Sequence, residues 1–208
     1  MIPIFFLLQC LVCVLNIGNT FCFPLVASPL GRVGKSNTQD CFTLVVDKEQ
    51  NIDKIAKFCV ETFYEVGLPG SLDSDEVNEI IEFEKKGMTK RANSSLETLM
   101  ISAISTEQGN TFENGKMIGF AETTKMNDQE ALIRNVCTSL EYRRQGVGRS
   151  LMKACMDYAQ YGWNCKKCIL NVEDENEKAI YFYKSLGFSP IPGRDLFGSI
   201  DMQIELVS

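Results

Sequence analysis

The run Arg143-Arg144-Gln145-Gly146-Val147-Gly148 constrains this chain more than any other stretch. It follows a β-type segment and opens a stripe of Val147, Leu151, Ala154, Cys155, Tyr158 and Ala159, spaced by three and four residues as on one helix face. A strand that bends into a helix leaves the helix's first N–H groups without intrahelical partners and aimed at whatever lies in front. Glycine at 146 and 148 removes side chains where an anion must approach the main chain, so the bend reads as a pyrophosphate cradle. Two other phosphate-binding patterns fail on the letters. A dinucleotide fingerprint needs a third glycine where Leu151 stands, and a P-loop needs Gly-Lys-Ser/Thr where Gly148 is followed by Arg149 and Ser150.

Element order changes character at this bend. Upstream, residues 41–46 form a β-branched and aromatic run predicting a first strand. Ile52, Ile55, Ala56, Cys59, Val60, Phe63 and Tyr64 predict a helix that ends near Gly67, and Val77, Ile80, Ile81 and Phe83 predict a second, interrupted around Gly87. The second helix carries Asp73, Asp75, Glu76, Glu79, Glu82 and Glu84, either a solvated face or a lining for a cationic acceptor. Residues 100–106, 116–124 and 131–138 then read as an antiparallel meander, its first turn flanked by Gly109 and Gly115. Downstream the order is helix, strand at 168–172, helix, the signature of locally parallel pairing. Asp174 and Glu177 resemble a capping box before the last helix, which carries Ala179, Phe182, Tyr183 and Leu186 and stops at Gly187; a final strand falls within 199–207.

Composition removes several chemistries. The chain has 208 residues and no histidine, which excludes Ser-His-Asp and Cys-His catalysis and every His-ligated metal site. Chemistry must run on Tyr, Asp, Glu, Lys, Cys or backbone groups. Arg32, Lys35 and Asp40 are the charges of the first 40 residues; taking them from totals of 21 basic and 27 acidic leaves 19 against 26, a net charge of −7. An acidic body argues against nucleic acid and suits a cationic amine. Of nine cysteines, Cys41, Cys59, Cys137, Cys155, Cys165 and Cys168 fall in the body, where a domain of this size needs no disulfide staples, and reduced thiols are expected. Cys165 and Cys168 make a lone CxxC: either a redox pair or a loop cysteine beside a core cysteine at a strand start.

Residues 2–17 form an apolar run too short to span a membrane comfortably, ending at small residues, and read as a secretory signal or, alternatively, an anchor. With Phe21 at the presumed cut and an acid-poor, basic, hydroxylated stretch to Thr38, the first 40 residues resemble the bipartite presequence of algae with secondary plastids. The expectation is a targeting presequence at 1–40 (signal about 1–20, transit-like segment about 21–40), a catalytic domain at 41–208, and delivery to a plastid, with secretion or the endomembrane system as the alternative. No stable membrane association is expected after processing.

The body resembles the Gcn5-related N-acetyltransferase (GNAT) superfamily. Its pyrophosphate loop, Arg/Gln-x-x-Gly-x-Gly/Ala, is matched by Arg143, Gly146 and Gly148, and Asn-x-x-Ala-x-x-x-Tyr-x-x-x-Gly-Phe by Asn176, Ala179, Tyr183, Gly187 and Phe188. The resemblance implies an α/β fold with a mixed sheet of six to seven strands, four flanking helices and a splayed β4/β5 pair. It implies acetyl-CoA as co-substrate and no metal, with the pantetheine arm on the strand backbone at Val136, Cys137 and Thr138. The pyrophosphate would lie on the amides of Arg144, Gln145, Gly146, Val147, Gly148, Arg149 and Ser150, with Asn176 bonding the pantetheine and Tyr183 as general acid for the departing thiolate. Relatives often carry a glutamate on the fourth strand or at the position of Asn171; here those positions hold Leu132 and Asn171, so Glu122 or Glu173 is left to hold a water that deprotonates the amine. The acceptor implied is a protein N-terminus, a lysine or a small amine, and the protein a monomer or homodimer. A non-catalytic acyl-CoA-binding module and a thiol redox protein are the competing readings.

Overall fold

The computed structural model describes residues 42–47, 49–64, 73–105, 115–193 and 198–206. The presequence, Cys41 and nearly all of the turn at 109–115 lie outside them. Seven strands, β1 (Phe42–Val46), β2 (Thr98–Ser105), β3 (Met117–Lys125), β4 (Glu130–Thr138), β5 (Lys167–Glu173), β6 (Ser189–Pro190) and β7 (Ser199–Glu205), form one sheet in the order β1-β2-β3-β4-β5-β7-β6. Among the described residues four helices flank it: α1 (Ile52–Phe63), α2 (Ser74–Ala92), α3 (Val147–Asp157) and α4 (Glu177–Ser185). The meander β2-β3-β4 is antiparallel, β1 joins β2 antiparallel, and β4 and β5 run parallel because helix α3 connects them.

Each face of the sheet buries its own cluster. Ile101, Ile118, Ala121, Ile133, Cys168 and Leu170 alternate onto the α3/α4 face with Leu151, Met152 and Tyr183. Met100, Phe120 and Cys137 point the other way, against Ile52, Ile55, Ala56, Cys59 and Met88 of α1 and α2. Strands covered on both faces lose the polar/apolar alternation of a half-exposed sheet, which is why β2 and β3 read as nearly continuous apolar runs.

Three expectations need correction. Helix α1 stops at Phe63, with the Tyr64 N–H on the Val60 carbonyl, several residues before Gly67. Helix α2 runs unbroken through Gly87. A mid-helix glycine costs about 1 kcal/mol, and α2 offsets it with a capping box, in which the Asp73 carboxylate accepts the Asp75 and Glu76 N–H groups and Glu76 accepts the Asp73 N–H. Gly87 also has a use, since a Cβ there would stand 3.1 Å from Nη1 of Arg91, a side chain that α2 sends into the sheet. Finally, α4 is capped by Asn176, whose Oδ1 accepts the Ala179 N–H at 3.1 Å, and not by Asp174. Its other end is as expected. Gly187 at φ 98° lets its own N–H reach the Lys184 carbonyl and that of Phe188 reach Tyr183, a Schellman closure.

Candidate active site

The site begins where β4 and β5 part. Their pairing covers Glu130↔Lys167 to Ile133↔Leu170 and ends there, although β4 continues to Thr138 and β5 to Glu173. The cause lies on the other edge of β4. Between Phe120↔Cys137 and Glu122↔Arg134, β3 advances two residues and β4 three, a bulge that puts Asn135 at φ 53°. A bulge bends its strand, and here the bend carries residues 134–138 away from β5, so Val136, Cys137 and Thr138 present a strand edge with no strand beside it.

The bend at 143–148 sits at the mouth of this gap. Gly146 is the N-cap of α3 at φ 87°, a left-handed conformation that glycine adopts without strain, and Arg144 shares it at φ 64°. The loop is closed by its own side chains: Arg143 Nε donates to the Thr138 carbonyl at 3.2 Å and Gln145 Nε2 to the Glu141 carbonyl at 2.8 Å. No side chain caps α3 and no acid stands in its first turn. The N–H groups of Val147, Gly148 and Arg149 therefore face outward into positive potential, the arrangement an anion requires. The Ser150 N–H is different, because it already bonds the Gly146 carbonyl at 2.9 Å. A Cβ on Gly148 would lie 3.4 Å from the Phe182 ring and 3.5 Å from Thr138 Oγ1, filling the cradle between β4, α3 and α4. The cradle thus fits a pyrophosphate and adjoins the residue preceding Tyr183.

Tyr183 is 8% exposed, its ring packed on Phe182 and Phe188 at centroid distances of 5.4 and 6.1 Å. Burial, and secondarily Cys137 on β4, push its phenol up to about 12, so it keeps its proton at every physiological pH. Cys137, 5% exposed, lies with its Sγ 3.7 Å from that of Cys59 on α1. Cys59, Cys137, Cys155, Cys165 and Cys168 are all buried and unbridged, as the expectation of reduced thiols requires, and burial pushes Cys168 up to about 12. Cys165 and Cys168 belong to the core, a poor setting for a redox pair.

The carboxylates separate clearly. Glu122 has no solvent exposure; Arg91 Nε and Nη2 reach its two oxygens at 2.5 and 2.9 Å, and Asn135 Nδ2 donates to it at 3.2 Å. This fork ties α2 to the sheet and holds the bulge residue. Glu173 ends β5 and is exposed. Asn171, two residues before it, donates through Nδ2 to Ser199 Oγ at 3.0 Å and to Asp201 Oδ1 at 2.8 Å on β7. Asp201 and Arg91 drew no attention as sequence, since both acquire a role only from strands and helices far apart in the chain. Gly119 also escaped notice, but it left a signal: a lone glycine inside a strand marks close approach. A Cβ there would stand 2.7 Å from Val147 Cγ1 and 2.9 Å from Leu151 Cδ1, so its absence seats α3 on β3. Among the described residues no cluster of metal-ligating side chains is present.

A mixed sheet split between parallel strands, with an uncapped helix N-terminus at the split, defines an α/β protein built around an extended anionic ligand. A model of the acetyltransferase (GNAT) family matches residues 80–188, over half of the sequence, and the chain belongs to that family. Over 77 residues it is 38% identical to the ribosomal protein bS18-alanine N-acetyltransferase of Escherichia coli, which covers 37% of this chain and 51% of that one. A stretch of the same length is 35% identical to the spermidine N(1)-acetyltransferase of that organism, covering 36% and 41%. The chain spans about half the length of the curated relatives it matches. In fold it is similar to the PaiA N-acetyltransferase of Thermoplasma acidophilum solved with coenzyme A, with a TM-score of 0.63 at 16% identity over 79% of this chain and 99% of that one.

Proposed function

We propose that this protein transfers the acetyl group of acetyl-CoA to a primary amine, with a protein N-terminus or lysine as the favoured acceptor. The observation that carries this is the gap between β4 and β5, with the anion cradle of α3 at its mouth and the buried Tyr183 phenol in its wall. In this reading the amides of residues 147–149 and the flanking Arg143, Arg144 and Arg149 hold the pyrophosphate. The free edge of Val136, Cys137 and Thr138 takes the pantetheine amides as a missing strand would. Asn176 has spent its Oδ1 on the α4 cap, which leaves its amide N–H groups for the same arm.

Acetyl-CoA brings a thioester with a good leaving group, and the protein aligns it and manages protons. Tyr183 gives its phenolic proton to the departing thiolate, a role suited to a group that stays protonated at neutral pH. Glu122, held by Arg91 and Asn135, serves the architecture, while Glu173 at the strand end is open to solvent-borne amines. Two relatives named for acetylating a protein alanine and a polyamine support an amine acceptor and keep a small amine as the second reading.

The test is release of free thiol from acetyl-CoA by the protein, with a peptide beginning in alanine and with spermidine as acceptors. Turnover with the peptide in excess of that with spermidine is expected, and the reverse preference would establish the small-amine reading. Tight coenzyme A binding without turnover of any amine would instead make the protein a binding module. Tyr183→Phe should lower kcat by about 10²-fold or more with coenzyme A affinity unchanged; an unaltered kcat would remove Tyr183 from the acid role.

A further inference from the structure

Asn171, the first β5 residue past the β4 pairing, brings no carboxylate to the gap, yet one of defined geometry stands beside it on β7. We infer that Asp201, on β7, is the group that takes the acceptor's proton, set in place by Asn171; this rests on the acetyl-transfer reading above.

Four observations carry it. Asn171 is the first β5 residue beyond the last β4–β5 pair, so it opens the gap, and its register partner across the other edge of β5 is Asp201. Partners in an antiparallel register share a face. That face is the one opposite Tyr183, because Cys168, Leu170 and Val172 of β5 point to the α3/α4 cluster containing Tyr183 while Asn171 alternates away. The two groups thus stand on opposite faces of the sheet, Asp201 one strand beyond the β5 edge that Asn171 gives to the gap. Asn171 Nδ2 donates to both Asp201 Oδ1 and Ser199 Oγ. Because an ionised carboxylate only accepts, the amide nitrogen must face it. With both N–H groups so used, the Asn171 Oδ1 points away from β7 and can accept from an incoming ammonium. Finally, Asp201 is half-buried and Asn171 exposed, so the pair is ordered yet reachable.

Proton and electron accounts close. The ammonium gives one proton to Asp201, directly or through one water, and the freed nitrogen lone pair forms the C–N bond while the C–S bond breaks. Tyr183 delivers a proton to the thiolate and recovers one from the nitrogen; the proton on Asp201 leaves to solvent. Net, an ammonium and a thioester become an amide, a thiol and one released proton. The charged group beside Asp201 on the same face is Glu173, whose register partner Ser199 is two residues from Asp201 on β7; Arg134, on β4, has Glu122, Arg91 and Glu84 as its charged neighbours. Ser199 and Gln203 flank it on β7, and Ile191 donates its N–H to the Asp201 carbonyl. Glu173 lies farther from the last β4–β5 pair and on an exposed strand end, which favours Asp201 as the better-fixed base.

The experiment uses the full chain with acetyl-CoA and whichever of the alanine peptide or spermidine the wild type acetylates. Wild-type silence toward both would defeat the acetyl-transfer reading itself. Given wild-type turnover, Asp201→Asn should lower kcat/KM by about 10²-fold, with far-UV circular dichroism and coenzyme A affinity unchanged. Its residual rate should climb in proportion to hydroxide concentration, as when solvent must deprotonate the amine. Exchanging the pair, Asn171→Asp with Asp201→Asn, returns a carboxylate to the same hydrogen bond and should restore the rate to within about tenfold. An Asp201→Asn enzyme with the wild-type rate and pH profile would overturn the inference, as would a Glu173→Gln enzyme that alone shows the loss.

Discussion

Asp47 shows how one side chain sets a pH dependence far from the chemistry. It closes β1 in the core with its N–H on the Met100 carbonyl and its Oδ1 accepting from Asn51 Nδ2 at 3.4 Å, Ser102 lying nearby, while Oδ2 is buried without a partner. Burial outweighs those contacts and raises its carboxyl from 3.8 to about 7. Unfolded, the group has lost its proton by about pH 5; folded, it keeps it until about 7. The native state therefore binds more protons across that window, and stability falls as pH rises through it and stays lower above. Each pH unit is worth about 1.4 kcal/mol, which sets a ceiling of about 4 kcal/mol. Urea unfolding should show Asp47→Asn flattening this slope and gaining most against wild type near pH 8; an equal slope in both proteins would rule the account out. Glu122 is the contrasting buried carboxylate, since Arg91 and Asn135 satisfy both of its oxygens.

At the scale of elements, β3 and α3 meet through a missing side chain. Gly119 lets Val147 and Leu151 approach the strand, and Val147 immediately follows the Gly146 cap. Gly119→Ala should force α3 outward, costing about 1–3 kcal/mol of stability as overpacking does. Because the first turn of α3 is the anion cradle, coenzyme A affinity should fall in the same variant, measured by calorimetry; loss of stability without loss of affinity would separate seating from binding. The β4 bulge works on the same scale. One extra residue at Asn135 turns a paired strand edge into an open one, and Glu122 fixes that residue from the next strand.

For the whole molecule, the sheet consists of a β1–β4 part and a β5–β7 part joined by four register pairs. A ligand lying in the gap contacts both and binds only the folded chain. Coenzyme A at 100 times its Kd should add about 2.7 kcal/mol to the unfolding free energy, seen as a rise in Tm. Protection from amide hydrogen exchange should increase at residues 134–138, and unchanged exchange there would place the ligand elsewhere.

Local chemistry was legible in the letters wherever neighbours in sequence act together. The glycine bend before an apolar stripe, the Gly187 stop, the meander and the parallel pair after it all depend on contacts within one or two elements, so periodicity and turn residues reveal them. The cap of α4 was missed by two residues because Asp174 and Asn176 both offer a capping oxygen, and only backbone geometry chooses between them. Gly87 misled for the opposite reason: propensity marks it as a break, whereas packing of Arg91 into the sheet overrides a cost of about 1 kcal/mol. What tertiary structure alone decided is which distant residues meet. Glu122 became a buried anchor because α2 delivers Arg91 to it from 31 positions upstream, and Asp201 reached Asn171 because β7 pairs with β5 across 30. Burial and register, which no local pattern encodes, determine whether a carboxylate holds the architecture or receives a proton.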